Sequence, residues 1–182
     1  MARSFTCKYL VLLTYTPRKE TDIEKYENWL INVDNPFFNS LNKVYHYSNW
    51  KVLGGSENFG FTYFDFLTFN SLSDFNTTWN STEVREFTSE WRRMWGQAPH
   101  SDKLHLNARV FLLEKLRNKF QEFKSFVSIN FNKKDIYLKK YSFKLIKSLR
   151  DEADFEYLKI EFFHEQNQIS SDINGKLIVA PL

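Results

Sequence analysis

The chain of 182 residues is poor in the residues that build linkers, tight turns and covalent cross-links. It contains four prolines, five glycines and a single cysteine, Cys7. One cysteine excludes an intrachain disulfide and a cysteine-based zinc cluster. It also fits a reducing compartment, so we expect a cytoplasmic protein. The scarcity of proline and glycine leaves little room for flexible linkers.

No single sign of charge dominates the sequence, and no apolar run is long. The 25 basic side chains are interleaved with 22 acidic ones, and the net charge of +3 is small. No run approaches the roughly 20 apolar residues of a membrane-spanning helix. The short apolar run near the N-terminus ends at Pro17 without a small-residue cleavage site, so we interpret it as a strand. We therefore expect neither a nucleic-acid partner nor a membrane partner.

Aromatic residues, in contrast, are abundant. They make up 18% of the chain and include 19 phenylalanines and five tryptophans. Large flat side chains either fill a thick core or line a concave pocket. Composition alone does not choose between these two uses.

Changes in hydrophobic period predict a β-α-β-β-α-β order within the first 116 residues. Apolar and β-branched runs predict strands at 7–16, 44–53, 61–69 and 103–116. After the first strand, apolar side chains recur at three- and four-residue steps and predict an amphipathic helix; they are Ile23, Tyr26, Trp29, Leu30 and Val33. We expect Thr21 and Glu24 to form its capping box and Asn35-Pro36 to end it.

The second helical region divides into two helices. Ser71, with Asp74 three residues later, is expected to open a short helix that ends near Trp79. Either Asn80 or Ser81 then caps a longer helix that stops at Gly96.

This element order predicts an α+β fold, the ferredoxin-like arrangement of four antiparallel strands with both helices on one face. The strands are apolar on both faces, so the face without helices should also be buried. A second copy of the sheet is the simplest cover. We therefore expect a homodimer that pairs through the sheet face and forms a dimeric α+β barrel.

Three segments resemble the dimeric α+β barrel superfamily, and within it the small REDY-like proteins associated with red tripyrrole pigment pathways. They are YENWLINVDNPFFNSLNKVYHYSNWKV, FTYFDFLTF and SDFNTTWNSTEVREFTSEW, and the resemblance covers residues 7–115. Members of the superfamily include monooxygenases, haem-degrading enzymes, lactone isomerases and proteins without a known activity. The resemblance implies a dimer with a ligand-sized cleft between sheet and helices, and it does not choose the chemistry.

Residues 117–182 lie outside the resemblance. Strands are predicted at 123–131, 155–163 and 176–182. Residues 135–152 fit a helix through Tyr141, Leu145 and Leu149, although FNKKDI could equally turn a hairpin. If the helix forms, the order is β-α-β-β, which is part of a second split βαβ unit or an accident of short patterns. We divide the chain into a barrel domain at 1–116 and an α/β extension at 117–182.

Asp65 is the most informative polar residue, because it interrupts the apolar strand FTYFDFLTF. A buried carboxyl group either has a raised pKa or is held ionised by a partner. His46, on the adjacent predicted strand, lies within reach if the register permits, and the two would form an acid–base dyad. The alternative is a purely structural pairing of Asp65 with an arginine, tyrosine or histidine.

Five aromatic side chains are candidates for the wall of the cleft. They are Tyr15, Trp50, Trp79, Trp91 and Trp95. Trp91 and Trp95 share one face of the second long helix and should point at the sheet. They either fill the core or offer a planar ligand a surface on which to stack.

No motif for a metal or a nucleotide cofactor is present. The histidines lack the spacing of a mononuclear metal site, and LGGSENFG lacks the spacing of a phosphate-binding loop. We expect neither a metal nor a cofactor, although a lone histidine could ligate haem iron as in some superfamily members.

Two classes of function remain open. The first is a cofactor-independent enzyme of the monooxygenase, isomerase or cyclase type, acting on an aromatic or polyketide-like metabolite, with His46 and Asp65 transferring protons. The second is a non-catalytic binder of a hydrophobic ligand, or an accessory protein. A haem-binding or haem-degrading protein is a third, more remote alternative.

Overall fold

The computed structural model of the protein describes residues 7–54, 60–96, 108–116, 124–133, 142–149, 153–165 and 173–179. Within these ranges the strands are β1 (Tyr9–Tyr15), β2 (His46–Gly54), β3 (Tyr63–Phe69), β4 (Ala108–Lys115), β5 (Phe126–Asn132), β6 (Ser142–Ser148), β7 (Tyr157–Phe163) and β8 (Ile173–Val179). The helices are α1 (Ile23–Trp29), a π-helical turn (Leu30–Asp34), α2 (Asn35–Ser40), α3 (Leu72–Trp79) and α4 (Thr82–Met94). None of these helices has the length and apolar character to span a bilayer.

The strands close into one antiparallel barrel within a single chain. Their order around the barrel is β1-β3-β2-β8-β5-β7-β6-β4, and β4 pairs with β1 to close it. The two junctions between the halves of the chain are the β2–β8 and β4–β6 ladders. Because every strand is paired on both sides, the barrel has no open edge.

The prediction of a ferredoxin-like domain that builds a dimeric α+β barrel is therefore wrong. Strands β4, β1, β3 and β2 are neighbours, but they form half of a larger sheet-dominated barrel rather than an independent four-stranded sheet. The pattern of strands apolar on both faces correctly indicated two buried faces. The cover of the second face, however, is the C-terminal part of the same chain, whose strands a local pattern could not place.

The barrel interior is a single apolar core shared by both halves of the chain. It contains Leu10 and Leu12 from β1, Trp50 from β2, Phe64 and Phe66 from β3, Val127 and Ile129 from β5, and Leu158, Ile160 and Phe162 from β7. The strands that residues 117–182 contribute are thus in the same barrel as those of residues 1–116. The homodimer stays a prediction. It was expected because one sheet face lacked a cover in the predicted fold, and the C-terminal strands cover that face.

The helices cover the outer face of the first half of the barrel. Side chains alternate along a strand, so Tyr9 and Val11 of β1 point away from the interior. They pack with Leu67 and Phe69 of β3 and with Phe75 of α3. This second apolar layer lies outside the barrel, and the first-half strands are buried on both faces as a result.

The predicted strands of the C-terminal part are confirmed at β5 and β7, whereas the predicted helix at 135–152 is wrong. Residues 142–148 form strand β6. Phe143 is buried in the barrel core and Leu145 packs against it, while Lys144 between them is exposed. This period of two is the strand pattern, and the helical spacing of Leu145 and Leu149 was coincidental. Tyr141 lies outside the described residues.

The first helical region differs from the prediction at both ends. Asp22, not Thr21, is the N-cap, and its side chain accepts a hydrogen bond from the Lys25 amide at 3.1 Å. The chain also does not leave the helix at Asn35-Pro36. It passes through the π-helical turn into α2, where Pro36 occupies the first turn, a position that does not need its missing N–H. The predicted cap Ser71 is confirmed, and of the two alternatives Asn80 and Ser81, the cap of α4 is Ser81.

We expect the barrel to unfold as one unit. Ile160→Ala removes a fully buried side chain of β7 and should lower the free energy of unfolding by about 2–5 kcal/mol. All five tryptophans precede residue 97. Tryptophan fluorescence during urea unfolding should therefore report this change from the opposite half of the chain.

The matched control is Lys159→Ala, which removes a half-buried neighbour on the same strand and a salt bridge to Glu161. It should cost less than about 1 kcal/mol. An Ile160→Ala variant whose tryptophan transition is unchanged would show that the two halves fold independently.

Candidate functional site

A cleft lies between the outer face of the barrel and the helices that cover it. The empty space between its walls is about 570 Å³, a figure that includes the solvent at the open mouth. One wall is apolar and consists of Leu13, Phe38, Trp79, Phe87, Trp91, Ala108 and Val110. Four polar side chains meet at one side of the lining, which we call the floor: Tyr15, Asp34, Tyr47 and Asp65. Thr88 and Arg92 are the other polar residues of the lining.

The floor of the cleft contains two buried carboxyl groups that share hydrogen-bond donors. The Tyr47 hydroxyl lies 2.6 Å from Asp34 Oδ2 and 2.8 Å from Asp65 Oδ2. The Asn49 amide Nδ2 lies 2.8 Å from Asp34 Oδ2 and 3.0 Å from Asp65 Oδ1. Asp34 and Asp65 are only 4% and 3% exposed. They therefore form a bridged acid pair rather than two separate groups.

Strand register and one irregular helical turn bring the pair together. Asn49 is directly opposite Asp65 in the β2–β3 ladder, and Tyr47 precedes it by two residues on the same face. Asp34 comes from the π-helical turn, in which the Asn35 amide bonds to the Leu30 carbonyl. The extra residue of a π turn shifts the helix face, and such turns are frequent at functional sites.

Asparagine side chains hold the donors of the site in place. Asn35 Nδ2 donates to Asn49 Oδ1 at 3.0 Å, so the Asn49 amide nitrogen is directed at the two carboxyl groups. Asn39 Nδ2 donates to Asn35 Oδ1 at 2.9 Å, and Asn39 Oδ1 accepts from the Tyr47 backbone amide at 3.0 Å. Rotation of Asn49 would leave buried polar groups unpaired, which is costly.

A second row of hydroxyl groups connects the acid pair to helix α4. Tyr15 donates to Asp65 Oδ1 at 3.0 Å. The Tyr26 hydroxyl accepts a hydrogen bond from Trp91 Nε1 at 3.2 Å. The Tyr15 and Trp91 rings also make an edge-to-face contact, with centroids 5.5 Å apart. Trp91 is therefore positioned by its ring nitrogen and by its ring edge.

Burial shifts the proton equilibria of these groups in one direction. Desolvation raises the pKa of Asp34, and hydrogen bonds from Tyr47 and Asn49 oppose part of that rise. Desolvation and the nearby Asp34 charge raise the pKa of Asp65 well above the ordinary value of an aspartate. Desolvation and the Asp65 charge likewise raise the pKa of Tyr15. The phenols are neutral at pH 7, and the carboxyl pair is poised to hold a proton.

The structure places Asp65 in the cleft but does not bring His46 to it. His46 is opposite Thr68 in the β2–β3 ladder. It lies three residues before Asn49, the residue opposite Asp65. It also faces the other side of the sheet, since Tyr47 and Asn49 face Asp65. Asn49 and Tyr47 take the place that the predicted dyad gave to His46.

The predicted aromatic residues divide between cleft and core. Tyr15, Trp79 and Trp91 line the cleft. Trp50 is fully buried inside the barrel, where its Nε1 donates to Ser48 at 2.9 Å. Trp95 is buried in a separate cluster with Tyr26 and Leu30.

Sequence reasoning missed Asp34, Tyr47, Asn49 and Tyr26 as site residues. Asp34 stands directly before Asn35-Pro36, where the helix was predicted to end. A signal was available in the strand HYSNWK, where Tyr47 and Asn49 share a face with period two. That face meets Asp65 only in this register, which sequence pattern alone does not define.

Metal binding is not indicated in the part of the chain that the structure describes, where no cluster of three histidine, cysteine or acidic side chains occurs. His164 is exposed, and His100 and His105 lie outside the described residues. The expectation that the protein uses no metal or cofactor stays a prediction.

The fold and the cleft together define a small-molecule-binding barrel protein. Residues 10–101, just over half of the chain, match the family of REDY-like protein HapK, and the chain belongs to that family. The solved structure of an anthrone oxidase-like protein shares the fold with a TM-score of 0.56 at 8% identity, over 96% of this chain and 75% of that one. No curated protein matches.

The raised carboxyl pKa values predict a pH dependence of stability. An aspartate with a folded pKa above its unfolded value near 4 binds its proton more tightly in the native state, so stability falls as the pH rises from about 4 toward the raised pKa. Asp65→Asn removes one such group. The fall should become shallower by up to about 1.4 kcal/mol per pH unit, measured by urea unfolding at several pH values.

Asp22→Asn is the control, because Asp22 is exposed and asparagine caps helices equally well. Its stability should follow the wild-type pH dependence. Equal slopes for the wild type and Asp65→Asn would mean that Asp65 ionises normally in the folded protein.

Proposed function

We propose that the protein is an enzyme that binds a flat aromatic or polyketide-like metabolite in the cleft and moves a proton with the Asp34–Asp65 pair. The observation that carries this proposal is the placement of two bridged carboxyl groups at the floor of a mostly apolar cleft. Carboxyl groups with shifted pKa values that line a cleft are characteristic of acid–base sites.

The cleft supports a planar, mostly apolar ligand. Trp79 and Trp91 are half-buried, so each offers ring surface to the cleft while the rest of the ring packs on the protein. Phe87 is held by a parallel stack on Phe37 with centroids 3.8 Å apart. Rigid aromatic walls favour flat ligands through stacking and burial of apolar surface.

The shared chemistry of the candidate reactions is removal of a proton beside a carbonyl group. Isomerisation, cyclisation and cofactor-independent oxygenation of such metabolites can each start from an enol or enolate. A carboxylate with a raised pKa is a stronger base than an ordinary aspartate, and the poorly solvated cleft strengthens its interaction with a developing charge. Asp65, with Tyr15 and Tyr47 as its donors, is the proposed base.

Similarity to a solved protein supports an aromatic polyketide as the substrate class. One solved structure with the same fold is that of an anthrone oxidase-like protein, and anthrones are flat tricyclic ketones. The proposal extends only to that chemical class.

A non-catalytic binder of the same kind of ligand is the second candidate. It is favoured by the depth of the acid pair, since Asp34 and Asp65 have so little exposed surface that they could serve to hold the helices on the barrel. The described residues that line the cleft include no histidine, so this site does not favour the haem alternative.

The test uses anthrone as the probe in deuterated buffer under argon, which separates proton removal from oxidation. We expect the wild-type protein to accelerate deuterium exchange at the anthrone methylene, followed by NMR. Asp65→Asn should lower the exchange rate by at least about a hundredfold, the usual scale of general-base catalysis. Its affinity for anthrone, measured by quenching of tryptophan fluorescence, should change less than about threefold, because the aromatic wall is intact.

Asp22→Asn should exchange like the wild type, since Asp22 lies outside the cleft. Binding without accelerated exchange in the wild type would favour the non-catalytic binder. Full exchange activity in a folded Asp65→Asn variant would remove Asp65 from the mechanism.

A further inference from the structure

The Tyr47 hydroxyl limits how many protons the acid pair can hold. It has one hydrogen, yet it contacts an oxygen of Asp34 at 2.6 Å and an oxygen of Asp65 at 2.8 Å. If both carboxyl groups were ionised, one of these short contacts would join two oxygens without a hydrogen between them. Such a contact is repulsive and would not persist at this distance.

Asn49 cannot supply the missing hydrogen. Its Nδ2 carries two hydrogens and lies at 2.8 Å from Asp34 Oδ2 and 3.0 Å from Asp65 Oδ1. Those two contacts use both hydrogens, and its oxygen is already engaged by Asn35. Nδ2 also lies 3.1 Å from the Tyr47 oxygen, but it has no third hydrogen to place in that contact.

A second proton is not required by these contacts. With one proton on an Oδ2 atom, Tyr47 accepts from the carboxylic acid and donates to the carboxylate, so both of its short contacts contain a hydrogen. The remaining carboxylate keeps the hydrogen bonds from Tyr47 and Asn49, and hydrogen bonds to the charged form favour it. Those donors, together with the ordinary acidity of an aspartate, favour one proton rather than two at neutral pH.

The electrostatic surroundings agree with this count. The hydrogen-bond partners of the two carboxyl groups are neutral: Tyr15, Tyr47 and Asn49. Within the described residues, the titratable groups that face the site are Tyr15 from β1, Tyr26 from α1, Tyr47 from β2 and Arg92 from α4, and Arg92 is exposed at the cleft. None of these described groups is a cation paired with the two carboxyl groups, and two neighbouring negative charges are strongly disfavoured in such a buried site.

We propose that Asp34 and Asp65 hold one proton between them at neutral pH, and that the cleft therefore takes an uncharged, enolisable ketone or phenol in preference to an organic anion. The proton count stands on these contacts and on the ordinary acidity of an aspartate, and it does not depend on the proposed function. The ligand class rests on the proposed function of the same cleft.

A pair with one proton carries an acid and a base side by side. The carboxylate removes a proton from the carbon conjugated with the substrate carbonyl, and the carbonyl oxygen receives a proton from the carboxylic acid. One C–H bond breaks and one O–H bond forms, so that the ketone becomes its enol. The pair still holds one proton afterwards, on the other carboxyl group, and Tyr47 reverses the direction of its hydrogen bonds. No oxidant or external base takes part in this step.

The proton count is tested without any ligand. Protein labelled with ¹³C at the aspartate carboxyl carbons is titrated by NMR, with Asp34 and Asp65 assigned through their backbone amides. At pH 7 we expect the two shifts together to account for one protonated carboxyl group. Two carboxylate shifts or two carboxylic-acid shifts would each overturn the proposal.

Single substitution should release the shared proton at lower pH. Asp34→Asn removes the neighbouring negative charge and leaves the Tyr47 hydroxyl able to donate to Asp65. The Asp65 carboxyl should therefore titrate below the pH at which the wild-type pair loses its proton. Asp22→Asn should leave both shifts of the pair unchanged. An Asp65 carboxyl that titrates at the same pH in wild type and Asp34→Asn would show that the two groups do not share a proton.

The ligand class is tested with a matched pair of probes, anthrone and anthracene-9-carboxylate. The wild type should bind the neutral ketone at least about tenfold more tightly, since the anion adds a second negative charge to a poorly solvated site. Asp65→Asn should reduce this ratio. Equal affinities of the wild type for the two probes would overturn the proposed ligand class. The ¹³C titration, which needs no ligand, would show separately whether the pair holds one proton.

Discussion

The structure depends on a half-barrel that is apolar on both faces. Leu10 and Leu12 of β1 point into the barrel, while Tyr9 and Val11 of the same strand point toward the helices. Each face needs its own cover, because neither layer of large apolar side chains is stable in water. The C-terminal strands cover the inner face and the helices cover the outer one. The cleft lies in the outer layer, at the place where that cover is incomplete.

The acid pair lies in this apolar outer layer, where a charge is costly. Its stability there depends on sharing: Tyr47 and Asn49 each contact both Asp34 and Asp65. The same arrangement that makes burial tolerable also leaves the two carboxyl groups in different protonation states. The hydrogen bonds that stabilise the buried carboxyl groups are therefore the same ones that set where their proton lies.

Much of the local structure could be predicted. The strand around Asp65, the caps Ser71 and Ser81, and the aromatic candidates Trp79 and Trp91 follow from hydrophobic period and capping chemistry. The predictions that failed concern segments whose structure depends on contacts with distant parts of the chain. Strand β6 was mistaken for a helix because seven residues with two lysines fit either period. Asp34 was missed because a proline two residues later suggests a helix end, whereas the chain forms a π-helical turn there.

By itself, the sequence determined that two faces of the sheet must be buried and that Asp65 would stand among apolar side chains, since these properties depend on residue type and period alone. Only the tertiary structure decided what buries the inner face and what stands beside Asp65. Strand order and register set those neighbours: Asn49, not His46, is opposite Asp65, and β8, not a second chain, lies along β2. Pairing between distant segments depends on the packing of the whole barrel, which no local pattern contains.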